Sequence, residues 1–125
     1  MSVQSNPQIV VVDNDEEIRE IVVQLTLETV PQAQICSMPN GREALDRIRI
    51  HGADLVITNF RMPEMDGPEL VGELRAREFA APVIMVSGNP EARRLGEAAG
   101  ISRFVAKADV DAALPRAILS LLEAT

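Results

Sequence analysis

Short apolar runs alternate along the chain with longer segments whose apolar residues recur at helical spacing. Runs of a few residues that are rich in β-branched side chains are typical of the buried strands of a parallel sheet. Four such runs are residues 9–12, 55–57, 83–86 and the weaker 104–106. A fifth run, residues 33–36, is more polar and is predicted to be an edge strand. The pattern therefore predicts five strands.

The first two segments between the strands predict helices with clear starts. In the first, an acidic first turn precedes one apolar face, which is formed by Ile18, Ile21, Val22 and Leu25. The second helix begins at Asn40, which Glu43 follows at the spacing of a capping box, and it stops at Gly52. Its inward residues are Ala44, Leu45 and Ile48.

The other three helices have weaker or interrupted patterns. Pro68 opens the third helix. The fourth, residues 91–99, contains Gly96, and an interior glycine costs roughly 1 kcal/mol relative to alanine, so this helix is predicted to be the softest element. Pro115 restricts the regular part of the fifth helix to a start near that residue. The inward residues are Leu70, Val71 and Leu74 in the third helix and Leu114, Ile118, Leu121 and Leu122 in the fifth.

Five strands that alternate with five helices predict a doubly wound parallel α/β sheet. The length of 125 residues suits a single domain, 1–125, in which residues 1–8 form a short N-terminal extension. An output domain would have to lie outside these residues.

Composition and charge exclude several classes of function. The formal charge of −7 and the pI near 4.7 argue against direct nucleic-acid binding, which depends on lysine and arginine neutralising phosphates. The short polar start of the sequence predicts no secretory signal, and no apolar stretch approaches the roughly 18 residues of a membrane span. With Cys36 as the only cysteine, no internal disulfide can form. We therefore expect a cytoplasmic protein that binds neither membranes nor nucleic acid.

Polar residues with possible chemistry follow the predicted strands. In open parallel sheets, sites form at the carboxyl ends of the strands, so these side chains should converge on one rim. They are Asp13, Asn14 and Asp15 after the first strand, Asn59 after the third, Ser87 and Gly88 after the fourth, and Lys107 after the fifth.

Five motifs in this order give the chain a family resemblance: IVVVDNDEEIR, NGREAL, DLVITNFRMPEMDG, PVIMVSG and FVAK. The sequence resembles the receiver domains of bacterial two-component response regulators over nearly its whole length. The resemblance implies a flavodoxin-like (βα)5 fold with strand order 2-1-3-4-5. It also implies signalling without enzymatic activity of the chain's own.

The resemblance assigns roles to six positions. In the family, two adjacent acids after the first strand and one acid after the third hold Mg²⁺, and the last of these accepts a phosphoryl group. The matching positions here are Asp13, Asn14 and Asn59. A hydroxyl residue, an aromatic residue and a lysine on later strands respond to phosphorylation, and Ser87, Phe104 and Lys107 match them.

Two of the three expected carboxylates are amides, which changes the predicted chemistry. A neutral carboxamide at Asn59 cannot form an acyl phosphate. Mg²⁺ prefers anionic oxygen, so Asp13 alone is a weak residual ligand, and we expect no metal and no cofactor. Without clustered carboxylates, Asp13 and Lys107 can balance each other, which predicts a pocket held in one state. The family usually has proline after the lysine, and Ala108 predicts a trans peptide instead.

Simpler interpretations of these residues stay open. Asp15 is best explained as a helix cap, and Asn14 has capping-box spacing to Glu17. Asn59 could be a turn residue, although a turn alone would not require the MPEMDG that follows. Ser87 could cap a helix, Lys107 could be solvated and Phe104 could belong to the core.

The leading hypothesis is a signalling module that works by phosphorylation-independent protein contact. The expected partner is a sensor kinase or an output protein, bound through the fourth helix, fifth strand and fifth helix; a homodimer is a further alternative. That face would include Arg93, Arg94, Glu97, Phe104 and Ala106. Alternatives are phosphorylation at Asp15 or Asp66, or an Asn59 engineered from aspartate in an active receiver. A flavodoxin-like ligand module is disfavoured because the chain lacks a glycine-rich phosphate cradle.

Overall fold

The five apolar runs form the strands of one parallel sheet in a computed structural model that describes residues 6–123. The strands are β1 (Gln8–Val12), β2 (Gln34–Met38), β3 (Leu55–Thr58), β4 (Val83–Ser87) and β5 (Arg103–Ala106). Their spatial order is β2-β1-β3-β4-β5. Both the doubly wound parallel sheet and its predicted strand order are therefore confirmed.

A helix follows each strand. The helices are α1 (Glu16–Thr29), α2 (Gly41–His51), α3 (Gly67–Ala76), α4 (Ala92–Ala99) and α5 (Val110–Glu123), and the 3₁₀ turn Lys107–Asp109 leads into α5. No helix within residues 6–123 is both long and apolar enough to cross a membrane.

Helices cover both faces of the sheet, so its strands are buried on both sides. Successive strand residues point to opposite faces, and each face therefore packs against a different pair of helices. Ile9 and Val11 pack in the layer that contains α1 and α5. Val10 and Val12 pack in the other layer, against α2 and α3. With both faces covered by helices, the loops at the carboxyl ends of the strands remain available for a site.

Two predicted boundaries were wrong. Gln8, assigned to the N-terminal extension, begins β1, and the preceding Pro7 accepts a backbone hydrogen bond from Gln34 at 2.9 Å. Residues 1–5 of that extension lie outside the described residues. Helix α5 begins at Val110, well before Pro115. Proline lacks only its own N–H, so the Asp111 carbonyl alone loses its intrahelical donor and the helix continues through Pro115.

The apolar face of α1 is rotated from the predicted one. Ile21 is 49% exposed, whereas Thr26, which was not predicted to be inward, is buried. The Thr26 hydroxyl donates to the Val22 carbonyl at 2.7 Å, so a polar side chain can be buried here without an unpaired donor.

Gly96 has a packing role in α4. A Cβ atom at this position would lie 2.9 Å from Ile101 Cδ1 and 2.9 Å from Met85 Sδ. The glycine therefore lets α4 approach β4 closely, which offsets its low helix propensity. The predicted softness of this helix stays a prediction.

Candidate functional site

Five of the predicted site residues lie together at the carboxyl end of the sheet. Asp13, Asn14, Asn59, Ser87 and Lys107 line one open cleft of about 270 Å³. Phe104 does not reach this cleft. It lines a neighbouring cleft of about 340 Å³ that shares Ser87, Gly88 and Lys107 with the first.

The loop from β3 to α3 packs against the backbone of Asn59 and holds it in position. The Gly67 N–H donates to the Phe60 carbonyl at 2.8 Å. A Cβ atom on Gly67 would lie 2.2 Å from the Asn59 backbone oxygen, so no larger residue fits without moving that carbonyl. Asp66 caps α3 by accepting from the Glu69 N–H at 2.9 Å, and the Glu69 carboxylate accepts from the Asp66 N–H at 3.0 Å. Asp66 and Gly67 thus shape the loop.

The side-chain amide of Asn59 is at the centre of the cleft's hydrogen bonding. Its Nδ2 donates to Asp13 Oδ1 at 3.0 Å, to Asn14 Oδ1 at 3.2 Å and to the Arg61 carbonyl at 2.9 Å. Its Oδ1 is buried and has no hydrogen-bond partner among residues 6–123. The amide therefore joins the loop after β1 to the loop after β3.

Asp13 is the one buried carboxylate of the cleft, with 5% of its surface exposed. Its Oδ1 accepts from the Asp15 N–H at 2.9 Å as well as from Asn59. Burial raises the pKa of Asp13 because the charged form loses hydration, and the charge of Asp15 raises it further. The Asp15 hydrogen bond and the positive charges of Lys107 and Arg19 act in the opposite direction.

The predicted charge balance between Asp13 and Lys107 acts at long range and not through a direct contact. In the part of the chain that the structure describes, these residues form no ion pair. Lys107 acts on Asp13 through longer-range attraction, which lowers the carboxyl pKa. The direct hydrogen bonds to the carboxylate come instead from Asn59 and the Asp15 N–H.

The capping and turn roles that the sequence left open apply to some of these residues and not to others. Asp15 caps α1 by accepting from the Ile18 N–H at 3.2 Å, as predicted. Asn14 is not the cap, and its side-chain Oδ1 accepts from Asn59 Nδ2 instead. Ser87 Oγ accepts from the Asn89 N–H at 3.0 Å and so closes a turn. The Lys107–Ala108 peptide is trans, as is every peptide bond of the described residues.

Two arginines that the sequence did not suggest support the loops around the cleft, and Arg61 also lines it. Arg19 Nη1 donates to the Asp13 carbonyl at 2.6 Å and its Nε donates to Ser37 Oγ at 2.8 Å, so it ties the ends of β1 and β2 together. Arg61 contributes its backbone carbonyl, and its guanidinium lies 5.1 Å from the centre of the Phe60 ring. The position of Arg19 one helical turn after Asp15 is the signal that could have identified it.

Phe104 lies beside a cation on the surface formed by α4, β5 and α5. The Arg93 guanidinium lies 5.2 Å from the centre of the Phe104 ring, within cation–π range. On the same surface, Arg103 Nη2 donates to Ser120 Oγ at 3.2 Å. Arg94 pairs with Glu91 at 2.7 Å. The predicted face therefore has an aromatic side chain in contact with Arg93, and Arg94 and Arg103 lie on the same elements.

The sequence is similar to a known protein family and to several curated proteins. The response regulator receiver domain profile matches residues 9–118. The chemotaxis protein CheY of Bacillus subtilis is 32% identical over 92 residues, which cover 72% of either chain. The sensory/regulatory protein RpfC of Xanthomonas campestris pv. campestris is 33% identical over 121 residues, or 91% of this chain. The chain spans only 16% of the length of RpfC and 22% of a protein-glutamate methylesterase/protein-glutamine glutaminase from Nocardioides.

Solved structures share the architecture. The receiver domain of the putative response regulator NarL from Mycobacterium tuberculosis matches with a TM-score of 0.84 at 24% identity, over 98% of this chain and 100% of that one. The receiver domain of a signal transduction histidine kinase from Syntrophus aciditrophicus matches with a TM-score of 0.84 at 27% identity, over 95% and 92% of the two chains. The profile match, the strand order and the motifs agree, so the chain belongs to the response regulator receiver domain family of two-component signalling.

Proposed function

We propose that this receiver domain signals by protein contact without phosphorylation at Asn59. The observation that carries the proposal is the carboxamide of Asn59 beside Asp13 and Asn14, at the strand end where the family motif has its acceptor. An acyl phosphate requires attack by an anionic carboxylate oxygen, and a carboxamide has no such oxygen. The hydrogens of Nδ2 are also directed at neighbouring oxygens, and the Oδ1 atom is buried.

The donor set of the cleft does not suit Mg²⁺. Mg²⁺ requires near-octahedral oxygen coordination and favours carboxylates. Asp13 is the one buried carboxylate, and the amide hydrogens of Asn59, which carry partial positive charge, face its Oδ1. No group of three acidic, histidine or cysteine side chains within residues 6–123 is arranged to hold a metal ion. We therefore propose that the domain works without Mg²⁺.

The alternative acceptors Asp15 and Asp66 are engaged elsewhere. Each caps a helix with one carboxylate oxygen, Asp15 for α1 and Asp66 for α3. Phosphorylation of either oxygen would remove that cap. If Asn59 had been engineered from aspartate in an active receiver, the cleft would be the same. The substitution Asn59→Asp, which restores that aspartate, bears on this alternative.

The partner we propose is a sensor kinase or an output protein. Its docking surface is the face formed by α4, β5 and α5, where the Arg93 and Phe104 pair offers an aromatic contact and positive charge. Arginine and aromatic residues are enriched at the centres of protein interfaces. A second copy of the chain is the alternative occupant of this face.

Intact mass measurement after incubation with a small-molecule phosphodonor and Mg²⁺ tests the proposal. The wild-type chain should gain no phosphoryl group. The double variant Asn14→Asp with Asn59→Asp is the positive control, and it should gain a hydroxylamine-labile group if the rest of the cleft is competent. A hydroxylamine-labile adduct on the wild-type chain would refute the proposal, and peptide mapping to Asp15 or Asp66 would identify the alternative acceptor.

A further inference from the structure

Three oxygen atoms from two separate loops converge on a single nitrogen. Asp13 Oδ1 and Asn14 Oδ1 come from the loop after β1, and the Arg61 carbonyl comes from the loop after β3. All three lie between 2.9 and 3.2 Å from Asn59 Nδ2. A cluster of oxygens around one electropositive centre is the arrangement that a bound cation ordinarily creates.

The orientation of the amide is determined by these neighbours. A side-chain amide has two N–H donors at one end and an acceptor at the other. If the Asn59 amide were rotated by half a turn, its Oδ1 would face three oxygen atoms with no hydrogen between them. The observed orientation avoids this repulsion, although it leaves Oδ1 buried without a partner in the described chain. The orientation of the amide is therefore set by the three oxygens and not by a partner of Oδ1.

We propose that the Asn59 Nδ2 group takes the place of a cation and serves as a built-in, metal-free cross-link between the two loops. This inference rests on the proposed function, because it explains how a receiver cleft can be stable without Mg²⁺. It also makes a narrower claim. Mg²⁺ is kept out because the amide occupies the centre of the oxygen cluster, and the number of negative charges in the cleft is secondary.

Two substitutions with the same charge change separate these explanations. Asn14→Asp adds one negative charge beside Asp13 and leaves the Asn59 amide in place. Asn59→Asp adds one negative charge and replaces the NH₂ group with an oxygen, which leaves the cluster without a positive centre. If occupancy by the amide decides, only Asn59→Asp should gain affinity for Mg²⁺. If total charge decides, both variants should gain it.

The experiment is a Mg²⁺ titration of the wild-type chain and both variants, with sodium chloride of equal ionic strength as the control. Mg²⁺ binding is monitored through the backbone amide chemical shifts of residues 13, 14 and 61 and through the Tm. Asn59→Asp should have a lower Tm than the wild type without Mg²⁺ and recover it with saturable shifts. Asn14→Asp and the wild type should not respond. Equal responses of the two variants, or no response of Asn59→Asp, would overturn the cross-link.

A measurement on the wild-type chain keeps the test independent of how well Asn59→Asp folds. The side-chain NH₂ protons of Asn59 should exchange with solvent at least about tenfold more slowly than those of Asn89, because the two hydrogens are shared among three acceptors. Equal exchange rates would contradict the cross-link. Failure of the proposed function is a different outcome, namely a phosphoryl adduct on the wild-type chain, whatever the Mg²⁺ titration shows.

Discussion

The side-chain nitrogen of Asn59 lies 3.0 Å from Oδ1 of Asp13, and this bond joins the loops that follow β1 and β3. It is charge-assisted, because the acceptor is a carboxylate, and such bonds are stronger than those between neutral groups. Asp13 is buried and forms no ion pair with Lys107 in the described residues. The bond from Asn59 therefore satisfies part of its hydrogen-bonding capacity. The cleft is thereby held together by its own side chains.

Asp13 should make the stability of the domain depend on pH. Burial raises its pKa in the folded chain above the ordinary value of 3.8, so the folded chain retains a proton to higher pH than the unfolded chain. Stability therefore falls as pH rises through this range, and at neutral pH the buried charge is destabilising. Asp13→Asn keeps an Oδ1 acceptor for Asn59 and for the Asp15 N–H and removes the charge.

We expect Asp13→Asn to raise the free energy of unfolding at neutral pH. The gain should shrink as the pH falls, and it should vanish below 3.8, where the carboxyl becomes protonated in both states. Denaturant unfolding of both chains over a pH series measures the difference, and Asp46→Asn on the exposed surface of α2 is the matched control. A gain that does not change with pH would show that the buried charge is not its cause.

Gly67 should tolerate alanine far less well than Gly72 in the same helix. A Cβ on Gly67 meets the Asn59 backbone oxygen at 2.2 Å, and a carbonyl cannot move aside as a side chain can. We expect Gly67→Ala to lower the free energy of unfolding by about 3 kcal/mol. A Cβ on Gly72 meets nothing within 4 Å, so Gly72→Ala should raise it by roughly 0.5–1 kcal/mol. Urea unfolding measures both, and similar effects would contradict the close approach.

Asp66 should contribute to stability as a helix cap. Asp66→Ala removes the acceptor of the Glu69 N–H and half of the capping box, which should cost about 1 kcal/mol. Asp66→Asn keeps a capping oxygen and should leave stability nearly unchanged, because asparagine is as good an N-cap. Thermal unfolding of the two variants gives the comparison. An equal loss in both would mean that the carboxylate charge matters more than the cap.

Binding through the α4, β5 and α5 face should be constitutive. Arg93→Glu and Phe104→Ala should each weaken association at least about fivefold, since truncation of an interface anchor costs more than about 1 kcal/mol. A phosphodonor should have no effect, because a ligand without differential affinity shifts no equilibrium. Concentration-dependent sedimentation tests self-association, and a pull-down with a candidate kinase or output protein tests the other partners.

The control for the face is Arg42→Glu, which makes the same charge change on an exposed position of α2. If this variant weakens association as much as Arg93→Glu does, the effect comes from net charge and the assigned face is wrong. Association that begins only after phosphodonor is added would also contradict the constitutive mode.

The order of elements could be predicted from the sequence because it depends on local patterns. Apolar runs gave the strands, and side chains that bond to backbone three residues away gave the helix starts at Asp15 and Asn40. Once the strands are parallel, the residues that follow them must meet at one edge, so the cleft residues could also be anticipated. Phe104, which lies outside the cleft, was assigned by resemblance alone.

The bonding within the cleft was decided by tertiary structure. Asn14 could cap a helix or bond Asn59, and only the approach of a residue 45 positions away in sequence selected the second. The same holds for Arg19, which reaches Ser37 on a neighbouring strand, and for the α1 face, where Thr26 is buried in place of Ile21. Local pattern fixes which groups a segment offers, whereas competition among donors and acceptors from distant segments decides which of them pair.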